Sequence, residues 1–258
     1  MMETGFNIPD NHPRAASMRI RERLIEGEER SVVTKAGLFA HGRGEAFDYL
    51  IGEASMPSAL SAARAAAASL LLASHPVISV NGNVAALVPE ATVELSQVSG
   101  APLEVNLFYR TRKRELAVRD ALLAAGATAV LGLGPKTATI PELFSERRIV
   151  DPEGIYKADV VVVPLEDGDR TEALKRIGKF VITIDLNPLS RTAQAADITI
   201  VDNITRAIPN IVSAIRELRQ CGAGTQRSVA RGFDNRRSLS DALTFIRDRL
   251  TALAGGRG

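Results

Sequence analysis

Cysteine is almost absent from this 258-residue chain, whose one thiol is Cys221. That excludes an intrachain disulfide framework and a cysteine-rich zinc site. Tryptophan is missing and aromatics make up 4% of the residues, so a nucleic-acid surface of stacked rings is not expected. Neither sign of charge dominates: Lys and Arg number 32, Asp and Glu 30, leaving a formal +2. Such a balance gives no strong field to attract nucleic acid or a membrane. Long apolar runs are lacking too. AAAASLLLA at 65–73 is far short of the roughly 20 residues that cross a bilayer. The opening MMETGFNIPDNHPR has no basic-then-apolar pattern of a signal peptide. The three histidines, His12, His41 and His75, have no metal-ligand spacing, and no nucleophile elbow or Ser-His-Asp pattern is present. These absences point to a soluble cytoplasmic protein with no nucleic acid and no membrane as partner.

What is present is a repeated alternation of strand and helix. After two helical segments, HPRAASMRIRERLIEGEE with Pro13 in its first turn and the alanine-rich PSALSAARAAAASLLLAS, short apolar runs begin. They are 76–80, 103–108, 128–133, 158–165, 179–186 and 198–201. Helical stretches at 89–99, 112–125, 169–178 and 204–219 follow or separate them. Continuous apolar strands alternating with helices imply a parallel sheet covered on both faces. The fold class expected is α/β, a Rossmann-like, doubly wound, mainly parallel six-stranded sheet with N- and C-terminal helical additions. In the first helix Met18, Ile20, Leu24 and Ile25 form a rough apolar face. In the last, Leu239, Leu243, Ile246 and Leu250 are expected inward. No linker interrupts the pattern, so residues 1–258 read as one domain.

In such sheets ligands gather beyond the carboxyl ends of the strands. The segments there are NGNVAALVPE, PLEDGDRTEA, DLNPLSRTAQ and VDNITRA, each polar, and three of the four carrying arginine. The first offers free backbone N–H groups at a helix start, either to an anion or within a tight turn capped by Asn83. In LEDGDR, Asp167 and Asp169 either hold Mg²⁺ or cap the next helix, with Asp169 the expected cap. GLGPKTA at 132–138 lacks the spacing of a phosphate loop, and no G-x-G-x-x-G follows the first strand. Among the arginines, Arg43 in HGRG stands out. Between two glycines it reads as part of a flexible loop that closes on a phosphate or carboxylate.

The motifs IPDNHPR, GLFAHGRGEAFDYLIGE, HPVISVNGNVAALVPE, EVNLFYRT, PEGIYKADVVVVPLEDGDRTEAL and IDLNPLSRTAQAADITIVDNITRA together resemble the archaeal 4-phosphopantoate–β-alanine ligases, or archaeal phosphopantothenate synthetases. The resemblance runs from about residue 8 to residue 250 and takes in FDNRRSLSDAL. It implies a homodimeric enzyme of coenzyme A biosynthesis. Such an enzyme joins (R)-4-phosphopantoate to β-alanine, turns ATP into AMP and diphosphate with Mg²⁺ on the phosphates, and passes through a phosphopantoyl adenylate. Carried over by motif, the ATP-binding positions are Arg21, Arg43, Asp185, Leu186, Asn187, Arg191, Thr192, Asn203 and Ile204, with Arg43 also catalytic. The acid substrate is placed near Asn81, Gly82 and Asn83, with His12 or Arg14 beside them. The metal ligands are not identified. The stretch 132–156 reads as a lid whose ERR, 146–148, offers another anion contact.

Two other readings stay open on sequence grounds. One is a kinase or ligase acting on a different phosphorylated acid on the same scaffold. The other is a non-catalytic ATP-binding sensor. Turnover separates the sensor from an enzyme, and AMP rather than ADP among the products separates adenylation from an acyl-phosphate route.

Overall fold

The computed structural model describes residues 8–9, 11–12 and 14–256; Pro13 and Gly258 lie outside them. Three helices open the fold: α1 (Ala15–Glu29), α2 (Lys35–Ile51) and α3 (Pro57–Leu72). The Thr34 side chain accepts from the Gly37 N–H to start α2, and Gly52, at φ 82°, ends it in the left-handed region. Pro57 opens α3, where a proline loses no intrahelical bond.

Strand β1 (Pro76–Val80), helices α4 (Gly82–Leu87) and α5 (Pro89–Ser99), strand β2 (Leu103–Val105) and helix α6 (Arg112–Ala124) follow. A small antiparallel pair, β3 (Ala138–Thr139) and β4 (Ile149–Val150), interrupts the alternation, with a 3₁₀ turn at Glu146–Arg148 between them. It resumes with β5 (Val160–Pro164), α7 (Gly168–Arg176), β6 (Phe180–Ile184), α8 (Arg191–Ala195) and β7 (Ile198–Ile200). Helices α9 (Ile204–Arg219), α10 (Ala223–Arg231) and α11 (Asn235–Ala254) close the chain.

The main sheet is parallel throughout, in the order β2-β1-β5-β6-β7. It has five strands, not six. The apolar run 128–133 touches the sheet edge at one point, a bridge between Leu131 and Glu104. Gly132, at φ 86°, turns the chain away there, and a methyl group on it would lie 2.6 Å from the Val105 carbonyl oxygen. One bridging residue directly before a glycine makes a contact but not a strand.

Alternation along the strands buries both faces. Ile78, Val80, Val162, Ile182, Ile184, Ile198 and Ile200 join the larger core, with α3, α5 and α9. Val77, Val161, Val163 and Val181 face the opposite way, toward Ala173 and Leu174 of α7 and Ile140, Leu143, Val150 and Ile155. The alanines of α3 let α9 pack close, and Ala62, Ala66, Ala67 and Ala68 are fully buried. In α1, Leu24 is buried while Ile25 is exposed. In α11 only a narrow stripe packs inward, Leu239, Ala242 and Ile246; Leu243 and Leu250 are exposed. Periodicity marked the apolar stripe of α11 but not where the supporting body stops. No helix among the described residues is long and apolar enough to cross a membrane.

Glu104 in β2 is fully buried, where it accepts hydrogen bonds from the Asp151 N–H at 3.0 Å and the Ile155 N–H at 2.6 Å. Burial pushes its carboxyl up to about 7, against those amide bonds and the Arg170 charge, which favour the ionised form. The folded chain therefore holds this proton more tightly than the unfolded one. The associated stability is full below the ordinary value of 4.5 and is lost as pH rises through about 7. Between pH 5 and pH 8 the wild type should lose about 2–3 kcal/mol relative to Glu104→Gln. Urea unfolding of both proteins at the two pH values measures this, and parallel losses would count against it.

Candidate active site

Parallel strands put all their carboxyl ends on one edge, and a cleft of about 800 Å³ opens there. Strand order reverses between β1 and β5, since the chain goes from β1 outward to β2 and then returns to the other side of β1. That is where an open α/β sheet leaves room for a ligand. The segments after β1, β2, β5, β6 and β7 form the floor, and α2 forms a wall.

Arg43 is on that wall, within a helix and not in a flexible loop. The flanking glycines keep the helix surface low. A methyl on Gly42 would meet nothing within 4 Å, and one on Gly44 would sit 3.6 Å from Leu186 Cδ1. The Arg43 side chain is exposed, and its charge acts on half-buried Asp185. His41, two residues earlier, has a buried Nε2 without a partner, and burial lowers its pKa.

A buried charged network fixes α2 against α9. Arg206 Nη2 lies 2.5 Å from Asp48 Oδ1 and 2.7 Å from Asp202 Oδ1. Asn203 caps α9 through Oδ1 and donates from Nδ2 to Asp48 Oδ2 at 2.7 Å. Burial works against the Arg206 cation, but hydrogen bonding and attraction from Asp48 and Asp202 outweigh it and hold its pKa above the ordinary value.

After β1, Asn81 rather than Asn83 caps the helix: its Oδ1 accepts from the Val84 N–H at 3.1 Å, because α4 starts at Gly82. Its Nδ2 donates to the Pro164 and Leu165 carbonyls, tying β1 to β5. Asn83 donates instead to the Gly37 carbonyl at 2.9 Å and holds α2. After β5, Asp167 caps α7, accepting from the Arg170 N–H at 3.0 Å. Asp169, the expected cap, pairs with Arg191 at 2.8 Å on the surface.

After β6, Asp185 accepts from the Asn187 N–H and from the Ser190 hydroxyl. Burial raises its pKa, opposed by those two bonds and by Arg43. Arg191 is also bonded to Glu172 Oε1 at 3.0 Å. Thr192 is buried, its hydroxyl donating to the Glu166 carbonyl. Leu186 and Ile204 are buried side chains of the lining.

The structure thus gathers Arg43, Asn81, Gly82, Asn83, Asp185, Leu186, Asn187, Arg191, Thr192, Asn203 and Ile204 around one cleft. Three expected residues do not line it. Arg21 is bonded to Glu45 at 2.8 Å, Arg14 reaches the Tyr49 hydroxyl, and His12 Nδ1 accepts from the Arg14 N–H.

Sequence reasoning missed Arg114 and Glu166 and saw Arg147 only as part of ERR; all three line the cleft. Glu166 is buried between Arg147 and Arg170, and Arg147 also bonds Asp167 at 3.0 Å. Burial pushes both guanidinium pKa values down to about 10, and for Arg147 the Arg170 charge adds to it. Buried Asn106 holds the backbone here, its Nδ2 donating to the Arg147 and Ile149 carbonyls. Asn106 sits in a quoted motif, EVNLFYRT, but a lone asparagine after a strand carries no signal of that task.

Cleft and topology together define an α/β protein with an arginine-rich cleft at a strand-order reversal. A sequence model of the phosphopantothenate/pantothenate synthetase family matches residues 58–249. Proteins named 4-phosphopantoate–β-alanine ligase are similar over nearly their full lengths. That of Thermococcus kodakarensis is 57% identical over 96% of this chain and 95% of its own. That of Methanosarcina mazei is 50% identical over 98% and 99%. The chain belongs to the phosphopantothenate/pantothenate synthetase family.

Arg206 is the only cation bonded to both Asp48 and Asp202 among the described residues. Arg206→Met should cost about 3 kcal/mol or more, because it strands two buried carboxylates. Chemical denaturation at neutral pH measures the loss, and a change under about 0.5 kcal/mol would mean the network does not hold α2.

Proposed function

We propose that the chain, residues 1–258 as one unit, is an AMP-forming ligase of coenzyme A biosynthesis. It joins (R)-4-phosphopantoate to β-alanine and yields 4′-phosphopantothenate, AMP and diphosphate. The observation that carries this reading is the division of one cleft between a β6–β7 end and a β1–β2 end. Two substrates can lie there head to head over the reversal. The strand order, with both sheet faces covered, supports the Rossmann-like description, and the names of the relatives supply the substrates.

In this reading ATP occupies the β6–β7 end. Each Asp185 oxygen already accepts one bond and has a further lone pair for a ribose hydroxyl. Arg43 and Arg191 take the phosphates, with Leu186, Asn187, Thr192, Asn203 and Ile204 around the nucleoside. Arg21 joins them only by exchanging Glu45 for a phosphate. The carboxylate oxygen of phosphopantoate attacks the α-phosphorus, the bond to the bridging oxygen breaks, and diphosphate leaves. The β-alanine nitrogen then attacks the acyl carbon, its carbon–oxygen bond breaks, and AMP leaves with the amine proton lost to solvent or base. No enzyme nucleophile is needed; the arginines supply alignment and charge stabilisation.

Among the described residues no three His, Cys, Asp or Glu side chains converge on a metal-sized site. Asp167, Asp169 and Asp185 are each engaged by a cap, an arginine or a hydroxyl. Mg²⁺ in this reading is carried by the ATP phosphates, whose charge it neutralises. A homodimer and a cytoplasmic location belong to the same proposal. The exposed Leu243, Phe245, Leu250 and Leu253 of α11 offer apolar surface to a second copy.

Arg43→Ala should leave stability within about 0.5 kcal/mol, since no protein bond is lost. Its kcat/KM at limiting ATP should fall at least tenfold, about 1.5–3 kcal/mol for a charge-assisted phosphate bond. Wild-type turnover in this variant would remove Arg43 from the nucleotide site. The adenylate route is tested directly: phosphopantoate and ATP without β-alanine should exchange labelled diphosphate into ATP. Exchange that strictly needs β-alanine, or ADP in place of AMP, would point to another route.

A further inference from the structure

We propose that Arg114 and Arg147 form the phosphate-selecting end of the cleft, so that it prefers phosphopantoate to unphosphorylated pantoate. The inference rests on the ligase reading and assigns one group of the acid substrate to two side chains.

Position comes first. Arg114 is on α6, which follows β2, and Arg147 lies in the turn that leads into β4. Both line the cleft: Arg114 at the β2 edge of the sheet, farthest from Asn203, which follows β7, and Arg147 reaching to Glu166 and Asp167 after β5. A methyl on Gly82 would lie 2.9 Å from Arg114 Nη2, so the turn after β1 abuts this guanidinium. The acid expected near Asn81, Gly82 and Asn83 therefore meets Arg114, whereas Arg14 and His12 do not line the cleft.

Charge balance comes second. The lining has Arg43, Arg114, Arg147 and Arg191 against Glu166, Asp167 and Asp185. Glu166 is shared with Arg170, which is itself fully buried. Arg114 bonds only carbonyl oxygens, Val32 at 3.0 Å and Tyr109 at 2.5 Å, so no carboxylate answers its charge. Burial lowers its pKa with nothing to offset the effect. The surplus sits in a place that penalises it, and a bound anion relieves that penalty.

Unused donors come third. The Nε atoms of Arg114 and Arg147 are buried and have no hydrogen-bond partner, although buried N–H groups are normally satisfied. Arg147 is 8% exposed and its backbone is held by Asn106, so the side chain is presented from a fixed base. A phosphate ester brings three acceptor oxygens and nearly two charges to such a pair. The free hydroxyl of pantoate brings no charge and leaves Arg114 uncompensated, which is how a polar site rejects a ligand lacking its key group.

The test measures binding of 4-phosphopantoate, unphosphorylated pantoate and ATP by calorimetry to the full chain, Arg114→Gln and Arg147→Lys. Each variant should bind phosphopantoate at least about tenfold more weakly, with pantoate and ATP within about twofold of wild type. Equal loss for both acids, or no loss, overturns the assignment. If Arg147→Lys does not fold, Arg114→Gln decides alone, because Arg114 breaks no ion pair. A wild-type chain that binds ATP but neither acid sinks the ligase reading and this inference together. Discrimination retained in the variants sinks only the inference.

Discussion

The parallel hydrogen-bond ladder is the constraint on which the remaining structure depends. Because every neighbour of β1, β5 and β6 runs in the same direction, the chain must cross back over the sheet between strands. Each crossing brings the next strand's carboxyl end to the same edge. Five otherwise unrelated segments of polar sequence are thereby brought to one cleft, and the reversal beside β1 sets where it deepens. The apolar faces of the strands stabilise the fold; the strand ends are left for chemistry.

Around that edge the protein accepts costs a purely structural design would avoid. Arg147, Arg170 and Glu166 are buried together, and an ion cluster of this kind is weak evidence for stability. Leu165, directly after β5, has φ 52°, a left-handed conformation that costs a branched side chain. Its carbonyl accepts from Asn81, so the turn is held by β1. Strain, buried charge and unpaired donors converge on the segments after β1, β2 and β5, where the site is. On the other side of the sheet the alanines of α3 meet α9 through small apolar contacts.

Much of this was legible in the sequence because short apolar runs bounded by polar turns have one economical arrangement. The residues after β6 and β7 could be placed because they directly follow long runs of Val, Ile and Thr. What failed had local causes. The run at 128–133 has the composition of a strand, but Gly132 diverts it after one contact. HGRG suggested a loop because glycine is permissive, while Thr34 and Gly52 define a helix through it. Asn81 and Asp167 took the capping places expected of Asn83 and Asp169 because a helix start shifts by a residue or two without changing composition. Arg114 was hidden in RTRKRE, where three basic residues at a helix start look solvated. Only the approach of Val32 and Tyr109 singles it out.

The unequal burial of the cleft's arginines also has a kinetic consequence. Exposed Arg43 acts at a distance, and its attraction for a polyanion is screened by salt over roughly 10 Å. Such a group raises the rate of encounter. Arg147 lies beneath the surface, shielded from ions in solution, and acts only on a ligand that has already entered. Capture and residence are thus assigned to different side chains. Rising ionic strength should slow entry while leaving the lifetime of the bound complex nearly unchanged, so the cleft can be slow to fill and still slow to empty.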